Sequence, residues 1–382
     1  MSTKNKIIKC KAAIAWEANK PLSIEEIEVS PPQKGEVRIK ICYSAICHSD
    51  IYALESNKTN YPIILGHEAA GIVESVGEGV RDVVAGDYVI PSPLPQCRKC
   101  KICLNPNGNI CEEFTFGNIR SEIMDDGKTR FNCKGKQIFH FVGLSTFSEY
   151  AVVREAAVCK INPKAPLDKV CLIGCGVTTG YGAPFNSCNV TKGSTVGVWG
   201  MGAIGLSIVL GCKAKGAEKI VGIDCNEERL KNAENFGITD SLNPKNLTGD
   251  TKTFVDYIRK KYEGGFDFTF EATGNTKAMK EAIDCSKMSV GQTCIIGVSD
   301  GDVCINAAEL VCSGRTIRGC VVGGYKTRDA MPMLVEKYLK GELPLEKFID
   351  WRFPLIQINE GIEHLKNSRG IRSVITLAGD NK

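Results

Sequence analysis

The sequence predicts an α/β protein in which a doubly wound parallel sheet is joined to a separate β-rich domain. Three observations support this prediction. A glycine-rich turn lies between two short apolar runs, strand and helix patterns alternate after it, and short alternating strand patterns precede it. At 382 residues the chain is also long for a single hydrophobic core, so two domains are expected.

The glycine-rich turn has the sequence G-x-G-x-x-G, with glycines at Gly200, Gly202 and Gly205. It follows an apolar run, leads into a pattern that can form a helix, and precedes a second apolar run that ends at Asp224. Such a turn lets the backbone approach a pyrophosphate, and the helix N-terminus offers free N–H groups to it. Asp224 would bind ribose hydroxyls and repel a 2′-phosphate, which predicts NAD rather than NADP. The alternative is an ordinary turn in which Asp224 caps the next helix.

Composition and charge exclude several classes of protein. Hydrophobic residues make up 43% and charged residues 24%, as in an ordinary globular protein. The net charge of +4 is spread along the chain, so neither a nucleic acid nor an anionic membrane is expected as a partner. No apolar run approaches membrane-spanning length and the first residues lack the core of a signal peptide. We therefore expect a cytoplasmic protein.

The chain has 19 cysteines, which in a reducing compartment indicate metal sites or small buried hydrophobic residues. We expect the second role where the surroundings are apolar, at Cys171, Cys188, Cys212, Cys285, Cys294, Cys312 and Cys320. A different pattern occupies the loop-like segment 96–112, with Cys97, Cys100, Cys103 and Cys111. Four thiolates at this spacing can surround one zinc ion and leave no position for water, which predicts a structural site. An iron–sulfur cluster and reactive thiols are the alternatives.

With these motifs in place, the chain resembles the zinc-dependent medium-chain alcohol dehydrogenases of the animal type over nearly its whole length. The resemblance is carried by residues 47–50, 66–80, 174–182, 200–224 and 370–372, and by the four-cysteine loop. It implies a β-rich GroES-like catalytic domain over residues 1–178 and a Rossmann NAD-binding domain over residues 179–321. Residues 322–382 would return to the catalytic domain.

The resemblance implies a catalytic zinc ion bound by Cys47, His67 and Cys175, with water or substrate as the fourth ligand. Asp50 would hold His67, and Glu68 would lie behind the metal. Together with the four-cysteine loop, this gives two zinc ions per chain. The implied reaction is the oxidation of primary and secondary alcohols to aldehydes and ketones, and its reverse, with hydride transfer between the substrate and NAD.

The resemblance also assigns roles to single residues. Ser49, His48 and Tyr52 would carry the proton to solvent, with Tyr52 standing where many relatives have a histidine. A tyrosine, whose ordinary pKa is about 10, is a poor base at neutral pH. The residues expected to bind NAD are His48, Thr179, Gly200, Gly202, Gly205, Asp224, Arg229, Val298 and Arg372. Alternatively, His48 and Arg229 are solvated surface residues.

The substrate pocket implied by the resemblance is lined by Ser49, Pro93, Phe116, Phe141 and Val298. Pro93 replaces an aromatic ring that many relatives have, which would widen the inner pocket. We therefore expect medium-chain, branched or cyclic primary alcohols to be better substrates than ethanol.

Two alternatives to a general alcohol dehydrogenase stay open. Glutathione-dependent formaldehyde dehydrogenases share the pattern of His48 and Tyr52, but they carry an arginine where this chain has Thr115 and an acidic residue in the loop before Gly66. The other alternative is an NAD-binding structural protein without turnover, in which the zinc ligands are typically lost. The resemblance further implies a homodimer joined through the edges of two nucleotide-domain sheets, with residues 292–321 as the expected edge.

Overall fold

The protein is described by a computed structural model that covers residue 3 and residues 5–114, 122–246 and 253–377. The chain forms two compact units: the first comprises Met1–Gly176 and Lys326–Lys382, and the second comprises Val177–Tyr325. The boundaries expected from the sequence lie after residues 178 and 321. In the part of the chain that the structure describes, no helix is both long enough and apolar enough to cross a membrane.

The first unit contains a closed barrel of short strands in the order β1-β2-β7-β8-β4. Most of the pairing is antiparallel, and β4 runs parallel to β8. Its strands are β1 (Ile8–Ala15), β2 (Ser23–Val29), β4 (Ile63–Ile64), β7 (Phe131–Cys133) and β8 (Lys136–His140). The alternating sequence patterns of this region therefore form the predicted β-rich domain.

A seven-stranded sheet completes the first unit, with the order β10-β6-β5-β3-β18-β17 and β9 paired with β3. The last strand of the chain, β18, lies between β3 and β17, so the C-terminal stretch is built into the sheet. One apolar core, which includes Ile39, Phe147 and Ile375, packs barrel and sheet together. The strands are β3 (Glu36–Ala45), β5 (Glu68–Val76), β6 (Tyr88–Pro91), β9 (Tyr150–Arg154), β10 (Val158–Lys160), β17 (Ile349–Pro354) and β18 (Arg372–Thr376).

The second unit is built on a six-stranded sheet in which all strands are parallel, in the order β13-β12-β11-β14-β15-β16. The order reverses between β11 and β14, and ligands of such sheets bind at the carboxyl ends of the strands at this switch point. This is the predicted doubly wound sheet. Its strands are β11 (Thr195–Trp199), β12 (Lys219–Ile223), β13 (Asp240–Leu242), β14 (Phe268–Glu271), β15 (Gln292–Ile295) and β16 (Thr316–Gly319).

In the second unit, helices alternate with the parallel strands, as the sequence predicted. Side chains of Thr253 and Asn275 cap two of them by accepting backbone N–H groups of the first turn. The helices are α1 (His48–Glu55), α2 (Lys101–Leu104), α3 (Leu167–Val170), α4 (Gly176–Gly182), α5 (Ala203–Ala214), α6 (Glu227–Ala233), α7 (Phe254–Lys261), α8 (Thr276–Asp284), α9 (Ala307–Ser313), α10 (Thr327–Leu339) and α11 (Ile358–Lys366).

The seven cysteines expected in apolar surroundings are buried or half-buried, with the exception of Cys312. Cys312 is exposed on α9, beside the exposed side chain of Val311. The prediction for this residue was wrong because the apolar residues around it in the sequence face solvent in this unit.

Candidate active site and metal centres

Four potential metal ligands meet in the first unit, although they come from distant parts of the sequence. The ligand atoms of Cys47, His67, Glu68 and Cys175 all lie within 4.8 Å of one another. Cys47 directly precedes α1, Glu68 begins β5, and Cys175 directly precedes α4. All of these side chains are buried except that of Cys175, which is half-buried. The sequence-predicted catalytic ligands are therefore close enough to bind one ion.

Asp50 organises this cluster from the first turn of α1. Its Oδ1 lies 3.0 Å from His67 Nδ1 and accepts the Gly66 N–H at 3.0 Å, and its Oδ2 accepts the Cys47 N–H at 2.9 Å. When Nδ1 donates to Asp50, Nε2 of the imidazole is left to bind a metal. Burial lowers the pKa of His67, but the charge and hydrogen bond of Asp50 outweigh it and the net pKa is well above the ordinary value.

The two thiols of the cluster interact directly. A hydrogen bond with Cys175 holds the pKa of Cys47 well below its ordinary value, and the same contact raises the pKa of Cys175 well above its own. Zinc binds thiolates and neutral histidines, and two sulfurs with one ring nitrogen leave a fourth position open. The residues of the cluster fit a zinc ion.

Behind these ligands lies a buried ion pair. Arg372 Nε is 3.3 Å from Glu68 Oε1, and the two side chains are 5% and 0% exposed. Among the described residues, none donates a hydrogen bond to Glu68 Oε2. Burial raises the pKa of Glu68 to about 7, against the opposing charge of Arg372. The role of Arg372 in binding NAD stays a prediction. The structure shows that its guanidinium group contacts Glu68.

The second cluster contains the four cysteines of the segment 96–112, whose sulfurs also lie within 4.8 Å of one another. Backbone N–H groups point at the sulfurs: those of Cys100 and Cys103 donate to Cys97 Sγ and Cys100 Sγ at 3.3 Å each. Although burial opposes it, the Cys103 N–H helps to lower the pKa of Cys100 to about 6. A closed set of four sulfurs matches a structural zinc site.

The three residues predicted to move a proton lie on α1, next to the first cluster. His48, Ser49 and Tyr52 are exposed. Ser49 Oγ lies 3.9 Å from Cys47 Sγ, so the hydroxyl is beside the candidate metal ligands. This placement is compatible with a proton acceptor near the substrate, and the order of transfer among the three residues stays a prediction.

The glycine-rich turn lies at the switch point of the parallel sheet. Gly200 follows β11 with φ of +92°, a conformation that other residues rarely adopt. A Cβ on Gly205 would lie 1.7 Å from the Gly200 carbonyl oxygen, so only glycine allows α5 to approach the turn this closely. Gly202 has no atom within 4 Å of its ideal Cβ position among the described residues, which leaves this side of the backbone open.

Asp224 directly follows β12, and its carboxylate accepts the N–H groups of Met201 at 2.8 Å and Asn226 at 2.9 Å. The cap of α6 is Asn226, whose side chain accepts from Glu228 and Arg229. Asp224 is thus tied to the glycine-rich turn and is not the helix cap. This observation argues against the helix-capping role of Asp224, while its binding of a ribose stays a prediction.

The other predicted residues are distributed over both units. In the second unit, Thr179 is buried on α4, Arg229 is half-buried on α6, and Val298 is 74% exposed after β15. In the first unit, Phe141 packs edge-on against His67 with ring centroids 5.7 Å apart. Pro93 is half-buried there. Thr115 and Phe116 lie outside the described residues.

Sequence reasoning missed the contact between Glu68 and Arg372. The two residues are 304 positions apart, and no periodicity or spacing joins them. Their opposite charges, in segments expected to belong to the same domain, were the only available signal.

Comparisons with known proteins agree with this geometry. Residues 33–163 match the family model of the alcohol dehydrogenase GroES-like domain, and residues 203–337 match that of zinc-binding dehydrogenases. The chain is 46% identical to alcohol dehydrogenase class-3 of Caenorhabditis elegans over 381 residues, which cover 98% of this chain and 99% of the relative. It is 46% identical to the Drosophila melanogaster protein of the same name over 378 residues, with coverage of 98% and 99%.

The fold is shared with solved structures as well. Benzyl alcohol dehydrogenase from Acinetobacter calcoaceticus superposes with a TM-score of 0.89 at 28% identity, over 97% of this chain and 100% of that one. The predicted fold class and family are confirmed by these matches. The chain therefore belongs to the zinc-dependent medium-chain alcohol dehydrogenases, a family of oxidoreductases.

Proposed function

We propose that this protein oxidises primary and secondary alcohols to aldehydes and ketones, and catalyses the reverse reaction, with NAD as the coenzyme. The observation that carries the proposal is the close set of Cys47, His67 and Cys175 with the Ser49 hydroxyl beside Cys47. Family membership implies zinc and NAD as cofactors. When bound, zinc supplies a positive charge that lowers the pKa of an alcohol, and NAD accepts the hydride.

The residues of the chain bind the metal and the coenzyme, orient the metal ligands and accept the proton of the alcohol. Cys47 and Cys175 hold the metal as thiolates, and Asp50 keeps the His67 ring in the tautomer that leaves Nε2 available. Ser49 accepts the proton of the alcohol, and the exposed positions of His48 and Tyr52 on the same helix support a route to solvent. In the second unit, Gly200, Gly202 and Gly205 receive the pyrophosphate, and Asp224 binds the adenosine ribose.

The proposal includes two zinc ions per chain, one in each cysteine cluster. Metal analysis of the purified protein tests this number directly, with the expected ratio of two and the contradicting ratio of one or zero. A cytoplasmic location is also proposed, because both clusters need reduced thiols.

The proposed substrates are medium-chain, branched or cyclic primary alcohols. Steady-state NADH formation with ethanol, octanol and benzyl alcohol tests this preference in zinc-loaded protein. We expect a higher kcat/KM with octanol and benzyl alcohol than with ethanol, because Pro93 leaves room in the pocket. Ethanol as the best of the three would refute the substrate proposal but leave the reaction intact.

A second candidate is the oxidation of the adduct of formaldehyde and glutathione. The pattern of His48 and Tyr52 favours it, and so does the class-3 name of the two relatives described above. The same assay with formaldehyde in the presence and absence of glutathione distinguishes the two. A rate that requires glutathione and exceeds the octanol rate would support this candidate, whereas the absence of NAD reduction with every substrate in protein holding two zinc ions would overturn both.

A further inference from the structure

The second unit holds a buried carboxylate that the proposed chemistry does not use. Glu271 is the last residue of β14 and is fully buried. It pairs in register with Trp199, the residue before Gly200, so it lies across the switch point from the glycine-rich turn. A carboxylate in such a position costs free energy unless hydrogen bonds compensate for the lost water.

One oxygen of this carboxylate organises the turn that follows the strand. Glu271 Oε1 accepts the N–H groups of Thr273 at 2.6 Å and Gly274 at 3.0 Å, and also the Thr273 hydroxyl. The Thr273 hydroxyl oxygen in turn accepts the Asn275 N–H at 3.0 Å. Three donors on one oxygen fix residues 273–275 in one arrangement. Among the described residues, the other oxygen, Oε2, has no donor.

This turn packs between two segments that the sequence assigns to NAD. A Cβ on Gly200 would lie 2.9 Å from the Thr273 methyl carbon, and a Cβ on Gly274 would lie 2.6 Å from the Val298 carbonyl oxygen. The carboxylate also packs closely against the segment that contains Val298. A Cβ built on Gly297, the residue before Val298, would lie only 2.6 Å from Glu271 Oε2. The spacing between Gly200 and Val298 therefore depends on the turn that Glu271 holds.

We propose that Glu271 is a positioning residue for the coenzyme: through Thr273 and Gly274 it sets the distance between the glycine-rich turn and the Val298 backbone. We assign it no contact with substrate or with the reacting atoms. The inference rests on the proposed NAD-dependent function and adds a residue of this chain to it.

The test compares coenzyme binding in Glu271→Gln with a matched control, Glu36→Gln. Glu36 is a buried glutamate of the first unit that pairs with Arg130 at 2.6 Å, so its substitution also removes a buried carboxylate but leaves the turn intact. Binding of NADH and of ADP-ribose is measured by fluorescence or calorimetry, together with zinc content and Tm. These readouts do not depend on turnover.

In Glu271→Gln we expect the Kd of both ligands to rise about tenfold, because the neutral amide is a weaker acceptor for the three donors of the turn. Zinc content is expected to match the wild type, and Glu36→Gln is expected to lower Tm without changing either Kd. A Kd unchanged within twofold in Glu271→Gln, or an equal rise in both variants, would overturn the inference.

Thr273→Val provides a second measurement if Glu271→Gln does not fold. Valine keeps the methyl group that packs on Gly200 but removes the hydroxyl that donates to Glu271. We expect a rise in Kd of about threefold, and no rise would count against the inference. Wild-type protein that binds no NADH would instead overturn the proposed function.

Discussion

The buried carboxylate of Asp50 connects three parts of the first metal cluster. It holds the imidazole of His67 and the backbone N–H groups of Cys47 and Gly66. Two of the proposed metal ligands therefore depend on one side chain that does not contact the metal. Partners of this kind fix the orientation of a ligand before the ion binds, so the ion does not have to order the site.

We predict that Asp50→Asn weakens zinc binding at the first cluster by about 10- to 100-fold. The amide presents a donor as well as an acceptor and no longer favours a single His67 tautomer. Competition with a chromogenic chelator measures the affinity. The control is Glu55→Gln on the same helix, where an exposed glutamate pairs with Lys366. Equal zinc affinity of Asp50→Asn and wild type would contradict the prediction.

The four-cysteine segment is hydrogen-bonded to the start of α10. Gln96 Nε2 and Arg98 Nη2 donate to the two carboxylate oxygens of Asp329 at 2.7 Å each, and Arg328 N donates to Gln96 Oε1 at 3.0 Å. Gln96 and Arg98 flank Cys97 directly. The arrangement of the cysteines therefore determines where Gln96 and Arg98, the hydrogen-bond partners of the first turn of α10, lie. Helix α10 is the first helix after the chain returns to the first unit.

We predict that Cys103→Ala loosens the beginning of α10 as well as the cysteine segment. Loss of one sulfur should reduce the zinc content from the proposed two ions to one. Amide hydrogen exchange in the first turn of α10 should then become about tenfold faster, because the zinc site no longer holds the Gln96 and Arg98 side chains in place. Cys225→Ala, which changes an exposed cysteine of the second unit, is the control. Loss of one zinc ion without faster exchange in α10 would show that the two elements are independent.

At the level of the whole protein, the parallel sheet ends in an unpaired edge within the described chain. At the two ends of the edge strand β16, the N–H groups of Thr316 and of Cys320, which follows the strand, donate to the carbonyl oxygens of Gly291 and Ile295 on the side of β15. By the alternation of a parallel ladder, the N–H groups of Ile317 and Gly319 point away from the sheet. Most of the strand is exposed. Such an edge is a template for pairing with another chain, which supports the proposed homodimer.

We predict that Gly319→Pro converts a dimer into a monomer in light scattering coupled to size-exclusion chromatography. Proline removes an outward N–H group but leaves the bonds to β15, and a Cβ at this position meets no described atom within 4 Å. Gly319→Ala keeps the N–H group and is expected to stay dimeric. A dimeric proline variant, or a monomeric wild-type protein, would exclude pairing through this edge.

Local patterns in the sequence were sufficient to predict the parallel strands, the glycine-rich turn and the four-cysteine segment, because each depends on residues that are close in the chain. The resemblance to a family supplied Cys47, His67 and Cys175, which no spacing connects. Neither source revealed the contact between Arg372 and Glu68, or the bonds of Glu271 to the turn after β14. Those contacts depend on how strands pair and on which buried charges then face each other, and a pattern of apolar residues does not encode this.

The insertion of β18 between β3 and β17 has a consequence for the synthesis of the protein on the ribosome. The second unit is continuous in sequence and can fold once residue 325 has left the ribosome, since domains fold as units during synthesis. The first unit must wait longer, because its internal strand β18 is synthesised after the whole of the second unit. Until then the last three residues of β3, Tyr43–Ala45, lack the strand that pairs with them and expose a short open edge to other nascent chains. A chain that terminates before residue 372 would also lack the arginine that faces Glu68 and would leave that buried carboxylate without its ion-pair partner.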